Sequence, residues 1–365
     1  MQDIPRSADQ FTVDWLNFAL AGHLGGHKVK TVEVRDSDIP GQTAEIAKIS
    51  VTYDSVDCRL PTRLIGKYTS HNQGVIDAVI NVYQQYWRET SFYKELPDPG
   101  IPVPSCYYAV HDPATQTFVI LMNDLAPAES PSWASTPAQV AEAVSHLPGI
   151  HGKWWNSPLI RSKDWLVQYD NIAFFTAAAS AASASVPRVR QLFGAKADQT
   201  ARLLDMWLDK IDRVTEYISK QPYTLVHGDY HPKQIFFPVE SNGQFAVIDW
   251  QFSFVAQGAW DLIRVVTLGQ SVNERRTREN ELISNYHAGL AAQGVSNYSM
   301  AALEDDIRLG LIVNQMIMAI AVADTDIALV ARECDELGLE WQDVILLRGE
   351  AAVGDWDVEK FLSDL

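Results

Sequence analysis

Near the N-terminus three stretches, Lys30–Val34, Ala44–Tyr53 and Arg63–Thr69, are dense in Val, Ile, Thr and Tyr. Turn residues separate them, PGQT at 40–43 and DSVD at 54–57, so they read as strands. Cys106–Val110 and Gln116–Leu121 read as a hairpin joined by HDPAT. Between the third and fourth strands, Val75, Val79, Val82, Tyr86 and Tyr93 fall on one narrow face at 3.6 residues per turn, which predicts a helix from about Val75 to Leu96. Beyond residue 125 the period is helical. Ser135 is a plausible N-cap for a helix ending in HLPGIHGKWW, and further helical patterns cover about 171–193, 198–219, 273–294 and 301–335. The Ala/Ser run AAASAASAS (177–185) reads as a close-packed helix. One β insertion interrupts the helices: QIFFPV and QFAVIDW flank SNG, where Asn242-Gly243 is a hairpin signal.

These elements predict an α+β chain in two lobes: a small antiparallel-sheet lobe with one main helix over 1–123, and a larger, mostly helical lobe over 124–365. A length of 365 residues fits two domains or one domain with two lobes. Hydrophobic residues at 47% and charged residues at 21% have the balance of a globular enzyme. There are 29 basic and 46 acidic residues, a net charge of −17, which argues against nucleic acid and anionic membrane as partners. The last 43 residues hold twelve acids and three bases, −9 of the −17, and read as a solvated acidic face. Three cysteines at wide spacing, Cys58, Cys106 and Cys334, suggest neither a disulfide framework nor a thiolate metal site. The opening MQDIPRSADQFTVDW lacks the features of a signal peptide. Ala173–Val186 is too short for a membrane span, and the run after Leu309 is broken by Asn314, Gln315, Asp324 and Asp326. A cytoplasmic protein is expected.

Residues 225–251, LVHGDYHPKQIFFPVESNGQFAVIDWQ, carry the chemistry. Asp229 sits in a loop after a short apolar strand, Gln234 at the mouth of the hairpin, and Asp249 at the end of the returning strand. Phosphoryl transfer from ATP needs such a trio. One carboxylate orients the attacking hydroxyl and accepts its proton, while an amide oxygen and a second carboxylate hold Mg²⁺ on the phosphates. Lys67, on the third strand, could reach the α- and β-phosphates. Glu89 lies on the apolar face of the 75–96 helix, between Tyr86 and Tyr93. A carboxylate facing a core is expensive unless paired, and Lys67 on the preceding strand is the natural partner. In the PGQTAE turn, Gly41 would let backbone N–H groups approach a phosphate, and Thr43 could add a hydroxyl.

With these residues the chain resembles the aminoglycoside phosphotransferase and choline kinase group of protein-kinase-like enzymes, closest to the ecdysteroid-kinase-like branch and its bacterial relatives. HGDYHPKQ (227–234) is similar to the family's HGD-x-x-x-x-N, VIDWQ (247–251) to its I-D-F/W-Q, and GAWDLIRVV (258–266) to its following D-L element. WRETSFYKEL (87–96), IPVPSCYYA (101–109), ILMNDLAP (120–127) and HLPGIHGKWW (146–155) follow the family order. The resemblance covers roughly residues 11 to 290. It implies Asp229 as catalytic base, Gln234 and Asp249 as Mg²⁺ ligands, and Lys67–Glu89 as the phosphate-positioning ion pair. Hinge backbone around Met122, Asn123 and Leu125 would meet adenine, and Asp261 would brace the catalytic loop. The first lobe would bind nucleotide and the second hold the acceptor pocket. In one departure, the family's metal-binding Asn is Gln234 here, one methylene longer.

The expected activity is ATP- and Mg²⁺-dependent transfer to a hydroxyl of a small molecule. No motif names that acceptor, nor the oligomeric state; the ecdysteroid-like branch and the aromatics favour an apolar alcohol. Gln234 keeps open an inactive nucleotide-binding scaffold. His227-x-Asp229-x-His231 allows a metallohydrolase, since alternate residues of an extended strand share one face. His227 reads as a packing residue, His231 and Lys233 as loop residues near the phosphates, and Trp154, Trp155 and Trp165 as core or, alternatively, as the lining of a substrate pocket.

Overall fold

The five expected N-terminal strands form one antiparallel sheet. In the computed structural model they are β1 (Val29–Asp36), β2 (Ala44–Tyr53), β3 (Arg63–Thr69), β4 (Cys106–Asp112) and β5 (Thr117–Asn123), in the order β1-β2-β3-β5-β4. The structure describes residues 3–36, 43–77, 83–129, 131–239, 243–324 and 327–365. The chain divides into two units, Met1–Glu129 with Phe236–Phe252, and Ser130–Ile235 with Ser253–Leu365. Residues 236–252, placed by the sequence reading in the second lobe, thus belong with the first unit.

Strand alternation sorts the first unit's side chains. One face of the sheet carries Ile49, Val51, Leu64, Tyr68, Val119 and Leu121. They bury against Phe11 and the short helix α1 (Val13–Ala19), which supplies Trp15 and Leu16. Gly66 falls on this face, where a Cβ would lie 2.6 Å from the Phe11 ring. Gly66→Ala should therefore overpack the cluster and lower stability by about 1–3 kcal/mol in urea unfolding; an unchanged midpoint would show that Phe11 can move aside. Lys67, the next residue, must point to the opposite face.

That opposite face meets α2 (Gln85–Glu95), where Tyr86 stacks on Phe118 of β5 with ring centroids 3.9 Å apart. The helix differs from the expected one over Val75–Leu96. Among the described residues there is a helical turn at Gln73–Val75 and then α2, and Gln84 has a left-handed backbone with φ 53° that ends any continuous helix. Val79 and Val82 lie outside the described residues, as do Gly41 and Asn242. Gln85, Arg88, Thr90 and Ser91 are as buried as Tyr86 and Tyr93, so α2 is enclosed on most sides and not amphipathic. Within the segment 236–252, Ala246–Val247 pairs with Ile235–Phe236 in a two-stranded ribbon, Val247 N–H donates to the Pro102 carbonyl (3.0 Å), and Trp250 stacks on Phe92 (4.1 Å).

The second unit is mostly helical: α3 (Pro137–Lys153), α4 (Ile172–Phe193), α5 (Asp198–Asp209), α6 (Ile211–Ser219), α7 (Ala259–Leu268), α8 (Val272–Ala292), α9 (Met300–Asp324) and α10 (Ile327–Glu336) are its main helices. Helix α3 is capped by Thr136 in a capping box with Gln139, not by Ser135. A small sheet joins Val167–Gln168, Phe254–Ala256 and Thr224–Val226. Two stretches, Ile172–Asp209 and Met300–Ala323, are long and apolar enough to cross a membrane by length and composition; 72% of the second window is buried in the protein, where α9 packs on α7 and α4. Trp165 is in the core, and Trp155 packs edge-on against Tyr298.

Candidate active site

In the first unit, Lys67 is fixed by its strand. Its Nζ lies 2.8 and 2.7 Å from the two carboxylate oxygens of Glu89 and 2.6 Å from Oδ1 of Asp249. Lys67 is 9% exposed and Glu89 1%. Burial works against the Lys67 ammonium, but Asp249 and Glu89 outweigh it and hold its pKa above the ordinary value. Burial pushes the Glu89 carboxyl up to about 7 against the pull of Lys67, with the Asp249 charge adding to the rise.

Asp249 has φ 66°, a left-handed backbone that a non-glycine residue adopts rarely. Gln251 Nε2 donates to its Oδ2 (3.2 Å), and Thr43 Oγ1 donates to Gln251 Oε1 (3.2 Å). The Thr43 carbonyl in turn accepts from Tyr86 OH (2.8 Å), which ties the β2 entry to α2. At the end of β5, Asn123 N–H donates to the Ser105 carbonyl (3.1 Å), Asp124 N–H to that of Arg63 (3.2 Å), and the Leu125 carbonyl accepts from Ala128 N–H (3.0 Å). Met122 and Leu125 are buried.

In the second unit, the strand Thr224–Val226 runs into the loop at His227, and Gly228 supplies the turn with φ 81°. Asp261, in the first turn of α7, accepts from His227 N–H (2.7 Å) and Gly228 N–H (2.9 Å). His151 approaches the same carboxylate (3.4 Å) and is itself bonded to Tyr286 OH (2.9 Å). The buried His227 ring accepts from Asp229 N–H at 3.2 Å. Asp229 Oδ2 faces His231 Nε2 (3.3 Å) and Gln234 Nε2 (3.2 Å), and its Oδ1 accepts from Arg264 Nε (3.0 Å) and Nη2. His231 stacks on Trp133 (4.8 Å), and Lys233 pairs with Glu333 (3.1 Å). Burial alone would raise Asp229, yet His231 and Arg264 hold it well below the carboxylate range. Burial also lowers His231, against the pull of the Asp229 charge.

Lys67, Glu89 and Asp249 thus come together in the first unit, with Thr43 reaching them through Gln251; Asp229 and Gln234 come together in the second. The sequence reading missed Gln251 and Arg264. The signal for Arg264 was present: an arginine inside the apolar run WDLIRVV is expensive to bury without a partner. Among the described residues no three His, Cys, Asp or Glu side chains are arranged to hold a metal. Gly228 also breaks the extended strand that a His227-x-Asp229-x-His231 ligand set requires.

The sequence profile of the family DUF1679, described as uncharacterized oxidoreductase dhs-27, matches residues 177–328, a stretch that includes the 227–234 loop and α7. No curated protein matches the chain. Among solved structures, a Ralstonia eutropha protein assigned to the aminoglycoside phosphotransferases is 14% identical, with 95% of this chain and 98% of that chain covered and a TM-score of 0.50. Spectinomycin phosphotransferase, solved with ADP and spectinomycin, is 14% identical over 96% and 99% of the chains with a TM-score of 0.49. Choline kinase LicA from Streptococcus pneumoniae is 15% identical over 96% and 99% with a TM-score of 0.45. At these identities the likeness is one of fold. The chain has the protein-kinase-like α+β fold of the aminoglycoside phosphotransferases, and its motif resemblance to that group stands.

Proposed function

We propose that the protein is an ATP-dependent phosphotransferase acting on a hydroxyl of a small molecule. The observation that carries this reading is the buried Lys67 held by Glu89 and Asp249 (2.7 and 2.6 Å). A lysine fixed in this way is a pre-positioned cation for nucleotide phosphates. Asp229 orients the acceptor hydroxyl, and the depressed pKa suits orientation better than proton storage. That suffices for a loose transition state, where little proton transfer is needed before the phosphoryl group moves.

The residues fit Mg²⁺. Gln234 offers an amide oxygen and Asp249 a carboxylate, the hard oxygen donors that Mg²⁺ takes. Bound Mg²⁺ would neutralise charge on the phosphates. Thr43 acts in this reading through Gln251 on the orientation of Asp249, and backbone near Met122, Asn123 and Leu125 meets adenine. Gly41 remains a proposal for the phosphate turn. The acceptor proposed is a largely apolar alcohol.

The test is ATP consumption by the purified protein with Mg²⁺ across a panel of alcohols spanning steroids, hydroxyacyl compounds, choline-like cations and aminoglycosides. Transfer to at least one is expected. Selectivity for aminoglycosides would reject the apolar acceptor, and nucleotide binding without turnover on any alcohol would favour the scaffold reading. Gln234→Asn should stay active, whereas Gln234→Ala should lose activity and need more Mg²⁺. Wild-type behaviour of Gln234→Ala across a Mg²⁺ titration would remove Gln234 from the metal site.

A further inference from the structure

We infer that Arg264 is a positioning residue that fixes the direction of the Asp229 carboxylate, an inference that rests on the phosphotransferase reading for its catalytic consequence. Arg264 lies on α7 three residues after Asp261, so one helix grips the loop twice. Asp261 holds the backbone N–H groups of His227 and Gly228, and Arg264 holds the side chain of Asp229.

The grip is side-on and one-sided: Nε (3.0 Å) and Nη2 both donate to Oδ1. The remaining nitrogen, Nη1, donates to Asn314 Oδ1 (3.4 Å), and Nη2 also touches Met318 Sδ (3.6 Å), both on α9. At 3% exposure the guanidinium has no inexpensive alternative position, because swinging away would leave two buried charges apart. Oδ1 takes two guanidinium nitrogens while Oδ2 faces His231 and Gln234, so the plane of the carboxylate is set from both sides. Arg264 is the charged, buried half of that hold and fixes the direction in which the carboxylate points. A lysine offers a single point charge and no fork, so it cannot set that direction.

The experiment compares crystal structures and kinetics of the full chain, wild type against Arg264→Met, Arg264→Ala and Arg264→Lys. In Arg264→Met the Asp229 carboxylate should leave its wild-type orientation. With ATP, Mg²⁺ and the alcohol that the panel identifies, kcat should fall about 100-fold while KM for ATP changes little, the signature of a misplaced catalytic group. Guanidinium at non-denaturing concentration should restore part of the rate to Arg264→Ala, which a merely structural role would not give. If removal of the charge prevents folding, Arg264→Lys keeps the cation and should still lose about tenfold in kcat. An unmoved Asp229 in the crystals, or wild-type kcat in Arg264→Met or Arg264→Lys, would overturn the inference. A wild-type protein that transfers phosphate to no alcohol would instead sink the phosphotransferase reading, and the crystal structures would still decide whether Arg264 directs Asp229.

Discussion

Asp229→Asn should lower the turnover of ATP-dependent transfer by about 10²–10⁴-fold while leaving ATP affinity nearly intact, because this carboxylate acts on the acceptor and not on the nucleotide. Lys67→Ala should have the opposite profile. Loss of one charge-assisted contact of about 1.5–3 kcal/mol weakens ATP binding by tenfold or more. The structure adds a second signature to each. Without Lys67, the carboxylates of Glu89 and Asp249 lose the cation they share, and breaking such a buried pair costs about 3–5 kcal/mol of stability. Without the Asp229 charge, the buried Arg264 faces a neutral amide, so that variant loses stability as well. Calorimetric titration with ATP should therefore be run well below both melting temperatures. Equal loss of ATP binding in the two variants would undo the assignment of roles.

Much of this site was legible because the sequence violates local rules there. Glu89 stood out as a carboxylate on a face of aromatic residues, and the structure pairs it with the strand lysine that the argument named. Strands β2 and β3 have the bounds read from composition, since their flanking turns are chemically distinct. The break at Gln84 was not legible: glutamine is a good helix former, and nothing local marks it for a left-handed backbone. Helix α1 escaped notice because its seven residues are too few to establish a period, and it is held by tertiary burial of Trp15 and Leu16. Gln251 and Arg264 were hidden for another reason. Asp249 is two residues from Gln251, but Thr43 lies 208 residues from it, and Asp229 and Asn314 lie 35 and 50 residues from Arg264, so local sequence named no partner across those gaps.

Asp306→Asn should stabilise the protein relative to wild type as pH rises from 5 to 8. Asp306 lies on α9 and is 1% exposed; burial raises its carboxyl to about 7 from an ordinary 3.8. Tyr298 OH donates to its Oδ2 at 2.6 Å, while Oδ1 is buried with no hydrogen-bond partner among the described residues. Arg308 is bonded to the neighbouring Asp305 (2.7 Å), and the Asp305 charge raises Asp306 further. Below about pH 4 both folded and unfolded chains carry the proton, so Asp306 contributes nothing to the pH dependence. Between about 4 and 7 the folded chain keeps a proton that the unfolded chain has released, and stability falls with rising pH. Above 7 the folded chain must carry the buried charge, and the cost is complete at about 4 kcal/mol. An asparagine keeps the acceptor for Tyr298 OH and removes the titration. Its unpartnered amide N–H costs the same at every pH, so the pH-dependent difference isolates the carboxylate. Urea unfolding should find wild type losing about 2–3 kcal/mol relative to Asp306→Asn between pH 5 and pH 8. A difference between the two proteins that does not change with pH would mean that Asp306 is ionised in the folded chain throughout, held by a partner stronger than Tyr298.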